Sequence, residues 1–155
     1  MTKRIFADLA SHTAPAMVNL LKLIPEQAWD VPVSQEGFGP RELVCHVADN
    51  EQVALDWVHL AVREPGAKIE VPDALEMAKK GDYLSTDPWT AIERFTNLRK
   101  QVCEFVVTLS DEELDRHMSC PFRGAVTVHD QCIFLLGHDV FHLELLSRAA
   151  LGKLT

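Results

Sequence analysis

Apolar residues recur at intervals of three and four along four stretches of the chain, the period of an amphipathic helix. The first predicted helix spans about residues 3 to 24 and ends before Pro25, with a stripe of Ile5, Leu9, His12, Ala16, Leu20 and Leu23. A linker containing Trp29, Pro32, Gly37 and Gly39 follows. Pro40 then marks a helix start, because proline fits the first helical position, where its missing N–H would have no partner anyway. This second helix runs to about Arg63, where Glu64-Pro65-Gly66 breaks it, and its apolar side carries Leu43, Val47, Ala54, Trp57, Val58 and Ala61, with His46 and Asn50 in the same arc. The third long helix, about 88 to 109, presents Trp89, Ile92, Phe95, Val102, Phe105, Val106 and Leu109. The fourth opens at Thr127, with Asp130 completing an imperfect capping box, and continues to about Leu151.

The intervening segments set the architecture. About 24 residues separate the second and third long helices, with a short helix expected across Asp73 to Lys80. That is too long for a tight antiparallel turn, so a crossover running the length of the bundle is expected. The segment from about Ser110 to Val126 reads as a linker capping one end of a pocket. The expected fold is an all-α four-helix bundle with a long crossover between helices two and three, as a single domain over residues 1–155.

The fourth helix departs from an ordinary core seam. Leu135, His138, His142, Leu145 and Ala149 step by three, four, three and four, so two successive core positions are imidazoles. Side chains at i and i+4 have their Cβ atoms roughly 5–6 Å apart, which lets both rings reach one ion at about 2.0–2.1 Å. His46 lies roughly 10 Å into the second helix, and His142 roughly 13 Å from the far end of the fourth, at about 1.5 Å per residue. The depths agree if those helices are antiparallel. Burying an imidazole with its ring nitrogens unpaired costs about 1–3 kcal/mol, and one shared divalent cation would satisfy all three rings. The opposing reading is three hydrogen-bonded core histidines. Three protein ligands leave positions open for water or substrate, and imidazole donors suit zinc, nickel, iron or copper alike.

Composition narrows the partners. At 155 residues and 47% hydrophobic, the chain is long enough for a sizeable core. Its net charge of -8 and the lack of a basic stripe argue against nucleic acid and anionic membrane surfaces. No export signal is read at the N-terminus, and the apolar run Cys132 to Gly137 is too short to span a bilayer. Cys45, Cys103, Cys120 and Cys132 form no Cys-x-x-Cys pair, and the cytoplasm is the expected compartment.

The run Gly39-Pro40-Arg41-Glu42-Leu43-Val44-Cys45-His46-Val47-Ala48-Asp49-Asn50-Glu51, followed by Leu136-Gly137-His138-Asp139-Val140-Phe141-His142, resembles the DinB/YfiT-like family of metalloenzymes. The likeness extends to Ile24-Pro25-Glu26-Gln27-Ala28-Trp29 and covers nearly the whole chain. It implies a four-helix bundle with a crossover and a metal held by His46, His138 and His142. It also implies a small-molecule substrate, homodimers, and thiol-dependent transfer or hydrolysis with a low-molecular-weight thiol as co-substrate. Where that family often has Gly-Gln after the last histidine, this chain has Glu144-Leu145.

Other residues carry weaker expectations. Asp139 sits where a zinc protease has its general-base glutamate, and is a candidate carboxylate behind the metal ligands or one that poises a bound water, or else a solvated helix-face charge. Asn50 and His12 are candidates to line a substrate pocket, with ordinary packing the alternative. His59, His117 and His129 read as surface or helix-end residues, and Trp29, Trp57 and Trp89 as core anchors. A metal- or small-molecule-binding bundle without turnover and a purely structural dimerisation bundle are the competing readings.

Overall fold

The computed structural model describes residues 1–153, so the last two positions of the expected 1–155 domain lie outside the described residues. The long helices are α1 (Lys3–Leu23), α2 (Pro40–Arg63), α4 (Pro88–Thr108) and α6 (Val128–Ala150), with short helices α3 (Ala74–Lys80) and α5 (Asp111–Leu114). Strands β1 (His117–Cys120) and β2 (Gly124–Thr127) form an antiparallel hairpin.

Local chemistry sets these boundaries. The Thr2 side chain accepts from the Ile5 N–H at the start of α1. Pro40 opens α2, and the Glu42 carboxylate accepts from the Gly39 N–H at 3.1 Å. Asp73 caps α3, and Asp87 caps α4 ahead of Pro88. Thr127 and Asp130 exchange the reciprocal hydrogen bonds of a capping box at α6.

The long helices pack as a ring in the order α1, α4, α2, α6, so the consecutive helices α1 and α2 lie across a diagonal. Paired residues along α2 and α4 fix their relative direction. Asp49 meets Arg94 and Glu51 meets Arg99, while Arg41 near the start of α2 reaches the Thr86 carbonyl at 3.2 Å. Both helices therefore run the same way, and the segment joining them returns along the whole length of α2. This is the expected crossover. Along it, Ile69 donates to the Ser119 carbonyl, and Tyr83 Oη donates to Asp49 at 2.6 Å.

Three features differ from the sequence reading. The buried face of α1 is Phe6, Ala10, Thr13, Ala14, Met17 and Leu21, one residue on from the expected stripe. Ile5 and Leu9 are 52% and 47% exposed and His12 is also exposed, so His12 does not lie in the seam expected of it. Small Ala10 and Ala14 let α1 approach its neighbours closely, and that outweighs the greater bulk of Ile5 and Leu9. The segment expected to be a plain linker, 110–126, instead folds as α5 and the hairpin, with Met118, Cys120 and Val126 turned into the core. Trp89 is 37% exposed and stacks edge-on against buried Trp29, so it is not a core anchor.

The core divides into two apolar clusters. One gathers Met17, Leu21, Val44, Phe95 and Leu146, and the other Phe6, Val58, Val102, Met118 and Leu135. Between them lies one polar layer with a residue from each long helix: Thr13, Glu51, Arg99 and Asp139. Arg99 donates to both oxygens of Glu51 at 2.7 Å each, to Asp139 at 2.5 and 3.1 Å, and to Thr13 Oγ1 at 3.2 Å.

Candidate metal centre

The convergence of three imidazoles follows from helix geometry. His138 and His142 are one turn apart on α6, and their Nε2 atoms stand 3.1 Å from one another. His46, on the antiparallel neighbour α2, brings its ring centroid to 5.4 Å from His138 and 5.1 Å from His142. One nitrogen from each ring can be chosen so that all three lie within 4.8 Å of one another. Tetrahedral ligands at about 2.0–2.1 Å from zinc stand roughly 3.4 Å apart, so the cluster needs only small side-chain adjustments to enclose an ion.

Electrostatics favours the ligating form of each ring. Burial lowers the pKa of His46, against the opposing pull of Glu36 and Asp49. Burial, then the neighbouring His46 and Arg99, drives His138 down to about 3, and burial with its two neighbours drives His142 to about 2. All three are therefore neutral at pH 7, with lone pairs available. His142 is 4% exposed, and its buried Nδ1 has no hydrogen-bond partner. A nitrogen left in that state is costly unless a ligand or ion satisfies its ring. The residues present fit a divalent ion.

A phenylalanine stands beside each histidine: Phe38 at 5.8 Å from His46, Phe134 at 5.7 Å from His138 and Phe141 at 5.2 Å from His142, centroid to centroid. Their low polarity limits competing hydrogen bonds. Asn50, one turn beyond His46, places its amide nitrogen 2.9 and 3.1 Å from the two ring nitrogens and donates to the His46 carbonyl at 3.1 Å. It therefore lies directly against the His46 ring.

Asp139 is held inside the bundle. It is 1% exposed and engaged through both oxygens by Arg99, so it is neither a solvated charge nor a carboxylate free to poise a water. Position 144, the departure from the family pattern, is half-exposed and paired with Arg148, while Leu145 packs in the core. Three of the chain's thiols are poor nucleophiles: burial pushes Cys45 and Cys132 up to about 12 and Cys103 to about 11.

Two parts of this region escaped the sequence reading, namely the Glu51–Arg99–Asp139 cluster and Arg123 in the hairpin turn. The cluster had left a signal. The apolar seams step by seven from Val47 to Ala54 and from Phe95 to Val102, and the residues skipped one turn in are Glu51 and Arg99.

A family model described as the DinB superfamily matches residues 10–146. Among curated proteins, none matches the sequence. The structure superposes on YfiT from Bacillus subtilis, described as a probable metal-dependent hydrolase with an unusual four-helix bundle topology, with a TM-score of 0.91 and 16% identity, covering 97% of this chain and 87% of that one. A second solved structure, a mycothiol-dependent maleylpyruvate isomerase, aligns with a TM-score of 0.74 and 13% identity over 94% of this chain, which spans 61% of that longer protein. At these identities the likeness is one of fold.

Proposed function

Because the chain belongs to the DinB superfamily, we propose that it is an enzyme that binds one divalent metal ion through His46, His138 and His142 and acts on a small molecule by hydrolysis or thiol transfer. The observation that carries this reading is the meeting of three neutral imidazoles, one with an orphaned buried nitrogen, beside three aromatic rings. A divalent ion held there lowers the pKa of a bound water or thiol. His46, His138 and His142 orient that position, Asn50 fixes the His46 ring from one side, and buried Phe38 shields the His46 ring from bulk water. A thiol in the reaction would come from outside as a low-molecular-weight co-substrate, since burial keeps Cys45, Cys103 and Cys132 in the protonated form. YfiT's description as a metal-dependent hydrolase and the isomerase's dependence on mycothiol agree with this pair of chemistries.

The same reading takes residues 1–155 as one domain, the cytoplasm as its compartment, and the homodimer as its assembly. The cysteines are free, and no described helix is long and apolar enough to cross a membrane. Elemental analysis of protein purified without a nickel column is expected to find near-stoichiometric zinc, nickel or iron. His138→Ala and His142→Ala are each expected to weaken binding by more than the roughly 10–100-fold that loss of a ligand's hydrogen-bonding partner costs, with the helical circular dichroism retained. Protein that contains no metal and takes up neither added zinc nor added nickel would overturn the assignment.

A further inference from the structure

The β1–β2 turn carries an arginine with no ionic partner. Arg41, Arg63, Arg94, Arg99, Arg116 and Arg148 each pair with a carboxylate, whereas Arg4, at the start of α1, pairs with none among the described residues. Arg123 is exposed and pairs with none among the described residues. Its guanidinium carbon instead lies 3.8 Å from the centroid of Phe134, whose ring in turn lies 5.7 Å from that of His138. The guanidinium is therefore no farther from the His138 ring than those two steps laid end to end. Gly124, at φ +74°, turns the chain immediately after Arg123 and sets the hairpin back toward α6. In a chain of net charge -8, an uncompensated cation stacked beside the histidine centre stands out.

Stacking on an aromatic face restrains a guanidinium and leaves its N–H edges free. Those edges match a carboxylate bidentately. We propose that Arg123, held on Phe134, is a substrate-binding residue that pairs with a carboxylate on the small molecule and directs that molecule's reacting end to the three histidines. The inference rests on the metal reading above and adds the substrate class: carboxylic acids whose reacting atom lies a few bonds from the carboxylate. Because Arg123 and Phe134 come from the hairpin and α6 respectively, the hairpin becomes one wall of the site.

The test uses the full chain loaded with cobalt(II) and titrated with two thiols of similar length, mercaptopropionate and uncharged mercaptopropanol, read by the thiolate-to-cobalt absorption band. The wild type is expected to bind the acid at least about tenfold more tightly than the alcohol. In Arg123→Gln that preference is expected to fall to within about twofold, at unchanged cobalt stoichiometry and unchanged helical circular dichroism. A preference that survives in Arg123→Gln, or cobalt-loaded wild type that shows none, overturns the role of Arg123 and leaves the metal centre standing. Failure to take up cobalt at all overturns both readings.

Discussion

At the scale of single residues, the informative positions are those whose chemistry contradicts their place in a periodic pattern. His46, His138 and His142 were legible because imidazoles replaced apolar residues in a seam. His12 looked similar but sat on the wrong phase of α1, where two apolar stripes run one residue apart and bulk pointed to the outer one. Gly39 is a subtler case. Its backbone, at φ -85°, is ordinary, but a Cβ there would stand 2.6 Å from the Trp29 carbonyl oxygen and 2.9 Å from the Asp30 carbonyl carbon. The obstacles are backbone atoms, and the same Trp29 oxygen accepts from the Arg41 N–H at 3.0 Å. Gly39→Ala must therefore move the loop or the start of α2. It is expected to cost about 1–3 kcal/mol, as overpacking does, measured by urea denaturation.

Among the elements, the polar layer governs how the helices meet. Arg99 answers two carboxylates in a site from which water is nearly excluded, and removing one member of a buried pair strands the rest at a cost of about 3–5 kcal/mol. Burial alone would lower the Arg99 pKa, yet the hydrogen bonds and charges of Glu51 and Asp139 turn the balance upward and keep it charged. Arg99→Met is expected to lose stability in that range, whereas Lys100→Met, one residue on and exposed, is expected to change it by less than about 0.5 kcal/mol. Helix starts respond to acid in a separate way. Hydrogen bonds from the Thr127 side chain and backbone hold the Asp130 carboxyl below the usual range, and Thr90 does the same for Asp87. Such groups stabilise the folded state fully above the ordinary carboxyl pKa of about 3.9, and that contribution is lost as pH falls through their depressed values. Asp130→Asn is thus expected to show a shallower loss of stability below about pH 4 than the wild type. The caps were legible because Thr, Asp and Pro announce helix starts chemically. The hairpin was not, because His117–Cys120 and Gly124–Thr127 are four residues each and their core contacts come from elements distant in sequence.

The whole molecule shows where sequence patterns stop being informative. Helix lengths and the crossover were readable from spacing, but the ring order was not, since periodicity tells which face is apolar and not which helix will cover it. The same ambiguity extends to the outer surface. Ile5 and Leu9 on α1, and Ile133, Val140 and Phe141 on α6, remain between 47% and 65% exposed on two helices that pack against each other. If these faces form the proposed homodimer contact, sedimentation equilibrium is expected to show dimers for the wild type and monomers for a Leu9→Glu, Val140→Glu double variant with intact helicity. A monomeric wild type would remove the dimer from the reading.

The place of the histidines along the chain has a bearing on synthesis. His46 emerges well before His138 and His142, and α2 cannot meet α6 until the chain has been made through Val128–Ala150. Contacts so remote in sequence form late because a long loop must close first. A nascent protein halted before α6 therefore carries only one of the three imidazoles, so an ion at the proposed centre would fasten the completed bundle rather than seed its assembly.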